Sequence, residues 1–190
     1  EFKVNDRLYD KNNFLIHDYF FAKSIDKVRS GGVIAFITSS GTMDKKDDSI
    51  RRYIGARCDL LGAIRLPNNT FKGMAGTEVT SDIIFLQKKD SVIEKEEPWY
   101  ELKTDENGLS YNSYFVENPE MILGEMVEVS GRFGNTMTCK AKDNHDLKTE
   151  LFESIKNIKG KIEPIRIERE DGDREPEIIP ADDNVKNFSF

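Results

Sequence analysis

Gly32-Val33-Ile34-Ala35-Phe36-Ile37-Thr38 is the stretch on which the fold turns. It carries no charge and no proline, and β-branched side chains dominate it, so it reads as a strand. Its lack of polar alternation predicts burial on both faces, as in a parallel sheet covered by helices. Phe36, with Ile34 as its same-face neighbour, is therefore expected in a central strand between helical layers. Working outward, the pattern upstream is helical from Asn13. Phe14, Phe21, Ile25 and Val28 share one face, Lys23, Lys27 and Arg29 lie near the end, and Gly31 is the stop signal. Ser39-Ser40-Gly41 ends the strand. Downstream the alternation repeats. Asp47-Asp48-Ser49 offers a helix N-cap and first-turn acids, and Ile50, Tyr53 and Ile54 form a short apolar stripe. Leu60-Leu61-Gly62-Ala63-Ile64-Arg65-Leu66 is a second strand, stopped by Pro67. A third, Ser81-Asp82-Ile83-Ile84-Phe85-Leu86-Gln87, follows with no room for a crossover helix, which predicts antiparallel pairing. The order is αβαβ, then an antiparallel strand: an α/β architecture.

Past Lys89 the character changes. Residues 89–98 are charged and linker-like, and short mixed segments follow, with turn signals at Asn107-Gly108, Asn118-Pro119 and Phe133-Gly134-Asn135. Leu147, Leu151, Ile155 and Ile158 predict an amphipathic helix near 146–159, stopped by Gly160. Three prolines and dense charge between 161 and 180 read as an extended connector. The expected division is therefore 1–90 as one unit and 91–190 as a smaller α+β extension. The opening Glu1-Phe2-Lys3-Val4-Asn5-Asp6 reads like the middle of a domain, and both ends look like cuts through a longer polypeptide. The net charge, 28 − 35 = −7, is unevenly spread. Residues 1–90 carry 15 basic against 12 acidic side chains, whereas 91–190 carry 13 against 23. Nucleic-acid affinity comes mostly from neutralised phosphates, so the acidic second half is a poor candidate for a DNA-contacting face.

Several function classes drop out. The apolar runs are far shorter than the ~20 residues that span a bilayer, and no signal segment opens the chain. Two cysteines, Cys58 and Cys139, make neither a disulfide framework nor a four-ligand zinc site. The expectation is a soluble cytoplasmic protein. There is no Gly-x-Gly-x-x-Gly, no phosphate-binding loop and no Gly-x-Ser-x-Gly elbow. His17 lies inside the first helix and His145 at a helix start, and both read as solvent-facing or capping. Cys58 follows an arginine-rich helix end, which would lower a thiol pKa, but a buried structural thiol is the favoured reading.

Four motifs, in this order, carry a resemblance: the helix end "VRSGG", the strand "VIAFITSSGTM", the helix "SIRRYI" with "LLGAIRLPNNTF" after it, and the strand "TSDIIFLQK". From Phe14 to Lys88 the chain resembles the second half of the catalytic domain of adenine-specific DNA methyltransferases, in particular type I modification subunits and their relatives. The segments "YFVENPEMILGEMVEVSGRFGN" and "IIPADDNVKNFSF" are similar to very large proteins of phages and conjugative elements, in which such a methylase is fused to a helicase. The resemblance implies an incomplete Rossmann-like methyltransferase sheet for 1–90. It also implies S-adenosylmethionine as cofactor, and double-stranded DNA, the other methylase half and a helicase domain as partners. In the family the target adenine is flipped out of the duplex. An Asn/Asp-Pro-Pro-aromatic motif then accepts from its amine and stacks on its ring. Neither that motif nor the cofactor glycines occur here, and Asn118-Pro119-Glu120 is no substitute. No catalytic, cofactor-binding or metal-ligating residue is therefore assigned, and the chain is expected to be inactive alone.

Some positions still face the expected site. Substrates of open α/β sheets bind outside the carboxyl ends of parallel strands. That places Ser39 and Ser40 after the first strand and Asn68 and Asn69 after the second on the DNA-binding or active-site edge. The intervening loop adds Lys72, a point charge suited to phosphate, and Thr77. Gly73 and Gly76 would permit movement of this loop, and Phe71 either stacks on a base or, the favoured reading, anchors the loop in the core. Two rival readings remain open: a non-catalytic module that keeps the fold to hold DNA or a neighbouring domain, and a methyltransferase acting on RNA or protein.

Overall fold

The computed structural model describes Tyr9 and residues 14–131, 134–143 and 146–160. The opening segment, His145 and the connector from 161 onward lie outside these residues. Helix α1 (Ile16–Lys27) buries Phe21, Ala22 and Ile25, and Asp18 in its first turn accepts from the Leu15 amide at 3.4 Å. Gly31 has φ +70°, a left-handed turn that glycine adopts without a Cβ clash, and it leads into β1 (Val33–Ser39). A short helical turn α2 (Gly41–Asp44), helix α3 (Ser49–Arg57) and strand β2 (Cys58–Leu66) follow. At the start of α3 the Asp47 carboxylate accepts from the Ser49 amide at 2.8 Å, and the Ser49 hydroxyl, followed by that amide, holds its pKa below the usual carboxylate range. The turn α4 (Lys72–Ala75) interrupts the next loop before β3 (Ser81–Lys88).

Strand β3 lies between β1 and β2 and is antiparallel to both. Ile84 is the register partner of Phe36 on one side and of Ala63 on the other. The αβαβ order and the antiparallel third strand thus stand as read from the sequence. The central placement of β1 does not. Its outer edge has no strand partner among the described residues, and Val33 and Ile37 are 39% and 60% exposed. Ile34 is buried, whereas Phe36 is only partly so, packed on Phe21 with ring centroids 4.3 Å apart. The physical reason is insertion. The β2–β3 connection holds only the single turn α4 and no crossover helix, so β3 returns antiparallel and occupies the middle of the sheet, where Ile84 and Leu86 are fully buried. An apolar run predicts a strand; it does not predict which strand becomes its neighbour.

One hydrophobic cluster unites the chain. Phe21 and Ile25 of α1, Met43 of α2, and Ile50 and Ile54 of α3 pack with Ile34, Ala63, Ile84 and Leu86. Trp99, Tyr100, Tyr111, Phe115, Met121 and Leu123 join the same cluster. All but Leu123 come from a 3₁₀ turn (Pro98–Tyr100), the hairpin β4 (Leu102–Thr104) and β5 (Ser110–Asn112), helix α5 (Ser113–Glu117) and a second 3₁₀ turn (Pro119–Met121). The β4–β5 turn forms where the Asp105 carboxylate accepts from the amides of Asn107 and Leu109 at 2.9 and 2.8 Å. Asn112 caps α5 by accepting from the Tyr114 amide at 3.0 Å. A long antiparallel hairpin, β6 (Glu125–Gly131) and β7 (Gly134–Lys140), comes next. Helix α6 (Leu147–Ile155) ends earlier than the periodicity predicts, and Ile155 is 45% exposed. Leu147, Leu151 and Ile158 do reach the core.

Both cysteines are free and buried. Burial pushes the Cys58 thiol from 9.0 up to about 11, outweighing the neighbouring Lys88 and Lys89, and pushes Cys139 up to about 12. The unfolded chain therefore releases these protons first. Stability is untouched below a pH of about 8.5 and falls as pH climbs toward the folded values. Neither thiol should label with a thiol-specific reagent at pH 8 until urea is added; rapid labelling of the native chain would contradict this packing.

Candidate functional site

Three strand ends meet on one edge of the sheet. Ser81, the first residue of β3, is the register partner of Ser39 at the end of β1 and of Leu66 at the end of β2. The Ser40 amide donates to the Thr80 carbonyl at 2.9 Å, which ties the β1 exit to the far end of the 67–80 loop. That loop is tethered rather than free-standing. Its Val79 amide donates to the Asn68 carbonyl at 2.9 Å, and the Asn68 amide donates to the Cys139 carbonyl of β7 at 2.7 Å. Thr80 adds a second tie to β7, its hydroxyl accepting from the Cys139 amide at 2.8 Å.

Of the positions read from the sequence, Ser39, Ser40 and Asn68 lie at this edge, and Asn69, Lys72 and Thr77 lie along the loop that leaves it. Ser39, Asn69 and Thr77 are exposed, and Ser40 and Asn68 are half-buried. Lys72 is exposed and ion-paired with Glu78 at 2.6 Å, a hydrogen bond that raises the lysine pKa and lowers that of the glutamate. Phe71 packs against the core, the anchoring role.

Beneath this edge lies a buried polar network that the sequence reading missed. Arg65 on β2 is completely buried, and its guanidinium forks onto Asp82 of β3 at 2.8 and 2.9 Å. The same guanidinium reaches Asp44 of α2 at 2.9 and 3.0 Å and lies 4.2 Å from the Phe115 ring centroid. Burial opposes its charge, but Asp82 and Asp44 outweigh that and raise its pKa. Arg51 on α3 is also buried and donates to the carbonyls of Tyr100 at 2.7 Å and Thr42 at 3.3 Å. The sequence did hold a signal. Arg65 is the one charge in the run Leu60–Leu66 and Asp82 the one charge in Ser81–Leu86, a pattern that a buried pair explains.

The cofactor implied by the resemblance can be tested against these groups. A ribose-binding site needs a carboxylate free to accept from sugar hydroxyls. The carboxylates bordering this edge are engaged, Asp44 and Asp82 with Arg65 and Glu78 with Lys72. Asp44 and Asp82 are therefore not free to hold a ribose. Among the described residues no His, Cys, Asp or Glu cluster is arranged for a metal ion, and no helix is long and apolar enough to cross a membrane.

A search of curated proteins returns no match. The family model described as N-6 DNA Methylase matches residues 3–113, more than half of the chain, a span that takes in Asn112, which contacts the α2 turn beneath the edge. A mixed α/β sheet with an antiparallel third strand, its loops gathered on one edge, agrees with that match, and the chain belongs to the N-6 DNA methylase family.

Proposed function

We propose that this chain is the C-terminal half of an S-adenosylmethionine-dependent, adenine-specific DNA methyltransferase domain, with an extension toward a following domain. Its wording favours the type I modification-subunit-like kind, in the large methylase–helicase fusions of phages and conjugative elements. The observation that carries the reading is the gathering of the β1 and β2 carboxyl ends and the 67–80 loop on one sheet edge, where open α/β sheets bind their ligands. Among the described residues β1 is an edge strand, and its exposed Val33–Ala35–Ile37 face supports a Rossmann-like domain with a further layer over it. When bound, the cofactor supplies the electrophilic methyl group for the adenine amine. This chain's own part is to line the DNA side of the site. Ser39, Ser40, Asn68, Asn69 and Thr77 offer neutral donors and acceptors, and Lys72 exchanges the exposed Glu78 carboxylate for a DNA phosphate.

Exposed ion pairs are worth only about 0–1 kcal/mol, so that exchange costs little. In the complete enzyme, Lys72→Ala should weaken DNA binding across sequences and shallow its salt dependence by about one unit. Unchanged affinity and salt slope would reduce Lys72 to a surface charge. Calorimetry on this chain alone tests the half-domain reading. No micromolar binding of S-adenosylmethionine is expected; a titration giving about −8 kcal/mol would place the cofactor site here and overturn it.

A further inference from the structure

Three consecutive residues of the α2 turn are each held by a buried side chain from a different element. The Thr42 carbonyl accepts from Arg51 of α3, the Met43 carbonyl accepts from the Asn112 side chain of β5 at 2.8 Å, and the Asp44 carboxylate accepts from Arg65 of β2. Asn112 is fully buried and contributes twice. Its backbone amide donates to Asp44 at 3.1 Å, and its side-chain amide also donates to the Trp99 carbonyl at 2.9 Å. Thr42 and Met43 are themselves buried, at 1% and 0% exposure, so the turn has little solvent to replace these partners.

The turn closes local backbone bonds from Met43 and Asp44 to the Ser40 carbonyl and from Lys45 to Gly41, too few to hold a single turn in place by itself. Position must come from outside, and here it comes from charged and amide groups rather than from packing alone. An apolar contact would tolerate sliding; a forked guanidinium between two carboxylates fixes both distance and orientation. The turn begins one residue after Ser40, so whatever fixes it also sets the exit of β1 on the proposed DNA-facing edge.

We infer that Arg65 is a positioning residue: through Asp44, and together with Arg51 and Asn112, it sets the α2 turn and thereby the Ser39–Ser40 end of β1, making residues 98–112 a strut for that edge. The functional consequence rests on the reading of this edge given above, but the positioning itself is testable without DNA or cofactor. Amide hydrogen exchange, resolved by residue on the 190-residue chain, is compared for the parent, Arg65→Lys and Asp44→Asn. Lysine keeps a cation beside Asp82 but cannot span both carboxylates. Asp44 is 17% exposed at its side chain, so its amide variant remains foldable if the lysine variant does not. Exchange at the amides of Met43, Asp44 and Asn112 should accelerate at least tenfold relative to those of Ile84 and Ala63 in the sheet. Uniform acceleration across sheet and turn would show general destabilisation and overturn the inference, as would unchanged exchange at the three amides. In the complete enzyme, DNA binding unchanged by these variants despite selective loosening would instead count against the functional reading alone.

Discussion

Arg65→Ala is expected to leave most of the chain unfolded in mild urea. Truncation removes the cation but leaves Asp82, with no solvent exposure, as an unpaired charge, a change that costs about 3–5 kcal/mol. Domains have about 5–15 kcal/mol in total, so one substitution consumes a large share. The cost belongs to the orphaned carboxylate rather than to the net worth of the pair. A double variant, Arg65→Met with Asp82→Leu, should therefore recover much of the loss, because apolar residues of similar volume need no counter-charge. Urea midpoints for the parent, single and double variants decide the matter. A single variant as stable as the parent, or a double variant no better than the single, would contradict this account.

Phe115→Ala should be nearly as damaging. The ring is fully buried, belongs to the same cluster as Ile84 and Leu86, and lies against the Arg65 guanidinium. Loss of its transfer energy, plus the cavity left behind, amounts to about 3–5 kcal/mol. The location makes the result informative, since Phe115 lies well beyond the charged segment that follows β3. With one shared core, a single cooperative transition should shift for β1–β3 and for the later elements alike. Were 91–190 an independent unit, near-UV signals from its Trp99 would melt early while the sheet kept the parent's midpoint. The effect will not add to that of Arg65→Ala, because the ring and the guanidinium are in contact.

What the sequence by itself determined is local. Apolar runs bounded by Gly31, Ser39 and Pro67 specify where the strands lie, since continuous β-branched segments have few other low-energy forms. The loop after β2 makes β3 antiparallel for want of a crossover helix. Those same local signals put Ser39, Ser40 and Asn68 at one edge and start the loop of Asn69, Lys72 and Thr77 from it, because a strand's end follows from its direction. What only the tertiary structure decided is which strand is central, which helix residues stay exposed, and where the buried charges find partners. Phe36 and Ile155 are apolar at the right spacing, yet neither is fully buried, since burial depends on what another segment brings to the opposite side. Arg51 looks like a solvent residue in any local window, and the apolar run around Arg65 marks it as buried without naming its partners. They are buried because Asp82, Asp44, Thr42 and Tyr100, distant along the chain, supply the acceptors that replace water. A charge's environment is a sum over neighbours in space, and chain order fixes only a few of them.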